Sequence, residues 1–364
     1  MTTATGNPPI DPAPIDEAEL QAFVGRAVVD MGAAISGLLL HLGDRLGLYK
    51  AMAGAGPITS AALARRTGTS ERLVREWLGN QAAGGYVGYD PAAGTYELPA
   101  EHAMVVADED SPVFLGGAFE AIASCYADHD VLAEAFRTGA GVGWAEHDHR
   151  LYSGIVRFFR PGYAAHLVEE WLPALDGVAG KLRAGASVAD VGCGHGASTI
   201  IMARAFERST FAGFDPHGAS IEAARTAARE AGLEQRARFD VASGRDFPGE
   251  GYDLVCLFDA LHDMGDPVTT ARRVRRSLAP DGTLLLVEPY AGDALEENLN
   301  PVGRVYYGLS TVICTPGSLA QEVGLGLGAQ AGERRLAEVL REAGFSRVRR
   351  AAETPFNIIL EARP

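Results

Sequence analysis

The sequence predicts an α/β protein, with a largely parallel seven-stranded sheet in its carboxyl-terminal half and a smaller α-rich domain ahead of it. Three observations predict this. Residues 188–199 run from a short apolar strand end, Val188 to Val191, through glycines at 192, 194 and 196 into a helix starting near Ala197. Strand, glycine turn and helix in that order build a ligand crevice at the carboxyl end of a strand. Glycine supplies the unusual φ values and lets a ligand approach the backbone. Second, from residue 179 onward β and α patterns alternate. Strands are expected at 187–191, 210–214, 236–241, 252–258, 283–288, 347–351 and 356–361, and helices at 197–206, 218–231, 267–278 and 333–343. Third, residues 57–98 read as two short helices and a hairpin.

The glycine turn by itself is ambiguous, because Gly192-x-Gly194-x-x-Ala197 also fits a nicotinamide or flavin fingerprint. Asp190, two residues before the first glycine, would repel a pyrophosphate and favour a ligand carrying an ammonium and a sulfonium. Its plain alternative is a turn-capping aspartate. The next strand, Thr210 to Phe214, ends at a second acid, Asp215. Asp-x-Gly-x-Gly-x-Gly resembles the first motif of class I S-adenosylmethionine-dependent methyltransferases. The resemblance implies a Rossmann-like seven-stranded methyltransferase sheet whose last two strands form a hairpin, here 347–351 with 356–361. It further implies that Asp190, Gly192 and Gly194 hold the methionine end of S-adenosylmethionine and that Asp215 accepts from the ribose hydroxyls. The turn at Ala242 and Ser243 would hold adenine, and the backbone near Phe258 would complete the site. This family usually has Asp where Ser243 stands, which makes Asp246 a possible substitute for the adenine contact.

Composition narrows the class. The 364 residues are 47% hydrophobic and 22% charged, with a formal net charge of −15. That charge argues against nucleic acid or an anionic membrane as partner. The four cysteines (Cys125, Cys193, Cys256, Cys314) stand far apart with no Cys-x-x-Cys pair, which fits a reducing compartment and offers no metal site. No signal peptide and no uninterrupted apolar run of bilayer length is expected. The expectation is a cytoplasmic protein with no metal.

Along the chain, residues 15–105 are expected to form a winged-helix dimerisation domain, 106–178 a helical connection and 179–364 the catalytic domain. Residues 16–50 read as helix, capped by Asp16, and the apolar run Ile35 to Leu42 suggests burial on more than one side. A helix after Thr59 or Ser60 stops at Gly68. A second starts at a Ser70 cap, and a hairpin turns at 90–94. A winged helix suggests DNA, but Glu71 and Glu76 offset Arg72 and Arg75 on the second helix. The competing reading is dimerisation, as in small-molecule O-methyltransferases that carry such a domain.

Between the domains, Glu146-His147-Asp148-His149 reads as a polar loop or helix cap, and the aromatics at 158–163 as either core or a cover for the site, with Tyr163 a candidate substrate contact. Leu261-His262-Asp263-Met264-x-Asp266 resembles the Leu-His-Asp-Trp-x-Asp segment of plant and microbial O-methyltransferases, whose histidine is the general base. An imidazole with an ordinary pKa near ~6.5 can remove a phenol or enol proton. The alternative is that His262 only caps the next helix. Asp263, Asp266 or Glu288 could orient its ring. The long stretch 289–330 is expected to build the acceptor pocket through Tyr290, Tyr306, Tyr307, Ser310 and Thr311, with Tyr306 and Tyr307 as substrate contacts. Gly324 to Gly328 reads as a flexible or tightly packed segment. The function implied is methyl transfer from S-adenosylmethionine to a small-molecule hydroxyl by a homodimer. Two alternatives stay open at this stage. One is a ligand-sensing DNA-binding regulator, the other an NAD-linked oxidoreductase.

Overall fold

A computed structural model of the chain describes residues 14–364. The chain divides into two compact units, one through Pro99 and one from Ala100 to Pro364.

In the first unit a 29-residue helix, Glu17–Arg45, begins at Asp16, whose carboxylate accepts from the backbone N–H groups of Ala18 and Glu19. It stops where Gly47 enters the left-handed region at φ 68°, and Leu48–Met52 follows as a separate short helix. The expected single helix over 16–50 is therefore broken. The helix-turn-helix is Ser60–Thr67 and Glu71–Ala83. Thr59 caps the first helix and Gly68, at φ 66°, ends it. Ser70 sits at the start of the second without a capping hydrogen bond. Strands β1 (Gly88–Asp90) and β2 (Thr95–Glu97) pair antiparallel as the wing. Arg72 and Arg75 each bond a glutamate one turn away, Glu76 and Glu71 respectively.

The long helix departs from the expectation of burial on several sides. Leu40 is buried, but Ile35 is 55% and Leu38 44% exposed. Val24, Val28, Met31, Ile35 and Leu38 are all exposed, and they alternate at spacings of four and three. That is the seam of a coiled coil. By length and composition this helix would also reach across a bilayer, although Arg26 and Asp30 interrupt its apolar run.

The second unit is built on strands β3 (Ser187–Val191), β4 (Thr210–Asp215), β5 (Ala237–Val241), β6 (Tyr252–Phe258), β7 (Leu278–Pro289), β8 (Arg347–Glu353) and β9 (Asn357–Arg363). Their spatial order is β5-β4-β3-β6-β7-β9-β8. The first five are parallel, while β9 lies antiparallel between β7 and β8. Alternate residues of each central strand feed two cores. Val188, Leu254, Cys256 and Leu285 face one, and Ala189, Val191, Val255 and Leu284 the other. Chain order reverses between β3 and β6, which opens a crevice at their carboxyl ends.

Residues 100–184 are mostly helical and belong to this unit. Helices Gly116–Ala127 and Arg150–His166 cross in close contact. A Cβ on Gly117 would lie 2.4 Å from the backbone nitrogen of Phe158, and one on Gly154 would lie 2.6 Å from that of Ala121. Only glycine permits that approach. Residues 301–319 form a second helical segment with a π turn at Ser310–Cys314. Gly324, Gly326 and Gly328 all adopt positive φ. Gly328 N–H donates to the carbonyl of His262 and Leu325 N–H to that of Gly265, so this segment is packed against the turn after β6.

Candidate active site

The crevice begins at Asp190, the penultimate residue of β3, which is 1% exposed. Its Oδ2 accepts from Ser198 Oγ at 2.7 Å and Thr199 Oγ1 at 2.6 Å, both from the helix after the glycine turn. Its Oδ1 is buried with no hydrogen-bond partner. An orphaned carboxylate oxygen is expensive in the free protein. Burial pushes this carboxyl up to about 6, against the two hydroxyls that lower it. Gly192, Gly194 and Gly196 adopt φ of 76°, 51° and 75°. At Gly192 a Cβ would come within 2.8 Å of Ala260 Cβ, whereas at Gly194 it would meet nothing within 4 Å. The turn is tight on its inner side and leaves room at its middle.

Asp215 ends β4 beside it. Its Oδ2 accepts from Gly194 N–H at 3.0 Å and its Oδ1 from His217 N–H at 2.8 Å. Burial raises its pKa against those two bonds. The sequence reading did not anticipate that Asp215 braces the glycine turn.

The glycine turn and Asp215 open into a cavity of about 600 Å³, lined among others by Gly192, Gly194, Asp215, Ser243, Phe258, Asp259, His262, Tyr163 and Tyr306; Asp190, 1% exposed, lies behind the turn and does not line it. Ala242 packs against the core instead and does not line it. Tyr307 also stays off the cavity, because it is one residue, about 100° of helix, from Tyr306. Of the other residues expected from 289–330, Tyr290, Ser310 and Thr311 do not line it. Leu309, Ile313, Cys314 and Gly317 do. Ser243 Oγ donates to Asp246 Oδ2 at 2.8 Å, and the exposed Asp246 is not part of the wall. Phe158, Phe159 and Tyr163 line the cavity, and Tyr163 also belongs to the core. Both readings of that aromatic run hold. His147 is buried against Asp128 at 2.8 Å, while the side chain of His149 is 91% exposed.

His262 lies in the short 3-10 turn Leu261–Asp263 that follows β6, and is 3% exposed. Its Nδ1 is 2.5 Å from Glu288 Oε2, and Glu288 Oε1 accepts from Leu261 N–H at 2.9 Å. Nε2 stands 3.1 Å from Asp263 Oδ1. Burial alone would lower this imidazole. The carboxylates of Asp263 and Glu288 outweigh it and hold the pKa well above 6.5. Glu288, on β7, serves the ring from a neighbouring strand. Cys314 lies close by, and the donor atoms of His262, Asp263 and Cys314 fall within 4.8 Å of one another, close enough to hold a metal ion. Asp259 and Asn357 join this group, Asn357 Nδ2 donating to Asp259 Oδ1 and to the carbonyl of Glu288, and the sequence assigned neither a role. Asn357 reaches the group from β9, nearly a hundred residues from β6.

Residues 33–108 match the Rv2258c-like winged HTH domain and residues 182–344 the methyltransferase domain. The chain joins a winged helix-turn-helix domain to a methyltransferase domain. The methyltransferase domain is 32% identical over 151 residues to 27-O-demethylrifamycin SV methyltransferase of Amycolatopsis mediterranei, covering 39% of this chain and 55% of that one. It is 32% identical over 108 residues to trans-aconitate 2-methyltransferase of Paracidovorax citrulli, covering 30% and 40%. The chain spans about half the length of the first of these relatives. Two solved structures share the fold over nearly the whole chain. One is a putative O-methyltransferase from Nostoc punctiforme, with TM-score 0.71, 19% identity and coverage of 97% and 100%. The other is human N-acetylserotonin methyltransferase in complex with SAM, with TM-score 0.67, 19% identity and coverage of 97% and 99%.

Proposed function

We propose that this protein binds S-adenosylmethionine in the crevice at the carboxyl ends of β3, β4 and β6 and methylates a hydroxyl oxygen of a small molecule held in the adjoining cavity. The observation that carries the reading is the buried, unpartnered Oδ1 of Asp190 beside the open middle of the glycine turn. That pair suits a cationic ligand approaching the backbone. The methyltransferase match and relatives named as O-methyltransferases support it.

Bound there, the cofactor supplies an electrophilic methyl group. Asp190, Gly192 and Gly194 hold its methionine end, Asp215 its ribose, and the turn at Ser243 its adenine. The backbone at Phe258 closes the site. Tyr163 and Tyr306 border the acceptor. His262 takes the acceptor's hydroxyl proton on Nε2 once that atom turns from Asp263 Oδ1, 3.1 Å away, while Glu288 keeps the other ring proton on Nδ1 and fixes the tautomer. Alignment in a mostly apolar cavity supplies the rest.

Calorimetry against pH tests the cofactor site. Asp190 titrates at about 6: above that pH it is ionised and attracts a cation, below it is neutral. Affinity for S-adenosylmethionine should therefore fall as pH drops through 6, by up to roughly tenfold per unit. S-adenosylhomocysteine, lacking the sulfonium charge, should lose less. Equal, pH-independent binding of the two would remove Asp190 from the site.

The exposed apolar seam on Glu17–Arg45 supports a homodimer, since a patch of this kind needs a partner. Light scattering should give a dimer, and Ile35→Lys or Met31→Glu should give a monomer. A parent that is monomeric and floats with lipid vesicles would assign the seam to a membrane instead. The intrahelical pairing of Arg72 and Arg75 supports a winged helix that does not read DNA.

A further inference from the structure

Asp259, the residue after β6, has no part in the proposed mechanism, yet its backbone geometry is unusual. Its backbone sits at φ 49°. A non-glycine residue in the left-handed region costs free energy and persists where the surroundings hold it. Here they do. Its N–H donates to Val287 O at 2.8 Å. Tyr163 Oη donates to Oδ2 at 2.7 Å and Asn357 Nδ2 to Oδ1 at 2.9 Å. Both donors are 7% exposed, and they come from a helix and from β9, far apart in the chain. Asp259 itself lines the cavity.

The charges around it are lopsided. Five carboxylates line the cavity, those of Asp215, Asp259, Asp263, Asp266 and Glu322. Its wall contains one arginine, Arg245, which is paired with Glu322 at 2.9 Å, and no lysine. An anion entering the His262 end would lose its water and find no cation except an imidazole already flanked by two carboxylates. A cation would find Asp259 in a wall that also carries the aromatic rings of Trp144, Tyr152 and Phe159. Burial pushes the Asp259 carboxyl up to about 8. A carboxyl held back from ionising by burial gains most when a cation arrives.

We infer that Asp259, pinned by Tyr163 and Asn357, is the contact for an ammonium group inside the cavity. Two ligands could bring that group: an amine-bearing aromatic acceptor, or the α-ammonium of the cofactor. The inference rests on the methyltransferase reading for the second source but not for the first.

Asp259→Asn tests both. Asparagine is among the residues best tolerated in the left-handed region, and its amide oxygen still accepts from one of the two donors. The acceptor arm measures binding of tyramine, 4-hydroxyphenylacetamide and 4-hydroxyphenylacetate by Trp144 fluorescence, with and without S-adenosylhomocysteine. The cofactor arm compares S-adenosylhomocysteine with 5′-methylthioadenosine, which lacks the amino-acid portion.

If the acceptor supplies the ammonium, the parent binds tyramine roughly ten- to hundredfold more tightly than the two other phenols. Asp259→Asn then removes that preference alone. If the cofactor supplies it, Asp259→Asn weakens S-adenosylhomocysteine by a similar factor and leaves 5′-methylthioadenosine unchanged. Tyr163→Phe, which frees one oxygen of Asp259, should shift the same ligand by a smaller factor, and it serves as the readout should the first variant fail to fold. An unchanged pattern in both arms overturns the inference, as does a parent preference for the anionic phenol. Failure of S-adenosylhomocysteine to bind the parent would instead defeat the cofactor reading, and tyramine would still report on Asp259.

Discussion

Replacing His262 by alanine is expected to lower turnover by about 10²- to 10⁴-fold, the usual contribution of a positioned general base. Cofactor affinity should change little. The ring is seated by Glu288, 1% exposed, whose carboxylate also accepts from Leu261 N–H. The same carboxylate, with Asp263, raises the imidazole pKa. A raised pKa keeps the ring protonated, and useless as a base, over more of the acid range. The parent rate at limiting acceptor should therefore climb with pH through a value above 6.5. Glu288→Gln should move that rise to lower pH while reducing the plateau. In His262→Ala the residual rate should follow ionisation of the acceptor itself. Truncation also leaves Glu288 short of a partner, a cost of about 1–3 kcal/mol, so His262→Ala with Glu288→Gln distinguishes lost folding from lost chemistry. A screen of phenolic compounds supplies the acceptor. Near-parental turnover in a folded His262→Ala protein would leave alignment as the whole of the mechanism.

Asp215→Ala carries the second large effect. The lost contacts should weaken S-adenosylmethionine by about 1.5–3 kcal/mol, the scale of hydrogen bonds to a charged group, or roughly 10- to 150-fold. Part of this loss is indirect. The carboxylate also holds Gly194 N–H and His217 N–H, so alanine loosens the turn that lies under the cofactor. Asp215→Asn keeps one acceptor and should fall between the parent and alanine. Calorimetry reads both, and thermal melting checks that the sheet survives. Parental affinity in the alanine variant would move the ribose elsewhere.

Much of the second unit was legible because its signals are local. The strand at 187–191, the three glycines and the acid at 215 lie within thirty residues, and each reports on its own backbone or on the one beside it. β6 and the helix-turn-helix were readable in the same way, from apolar period and caps. The strand at 283–288 was read too short. β7 begins at Leu278, where the pairing of Leu278 with Tyr252 across a register shift extends it beyond its apolar run.

What the sequence alone determined is the sheet, the crevice, the glycine cradle and the two acids that face it, because those follow from residue type and spacing. Only the tertiary structure decided which side chains complete the site. Tyr163 before the sheet, Glu288 on β7 and Asn357 on β9 meet around Asp259 and His262 because strand order, not chain order, sets which residues are neighbours. It also decided that Tyr306 enters the cavity and Tyr307 does not, and that the apolar seam of the first helix stays uncovered within one chain. Side-chain facing and burial are set by packing between distant elements, and no local pattern encodes them.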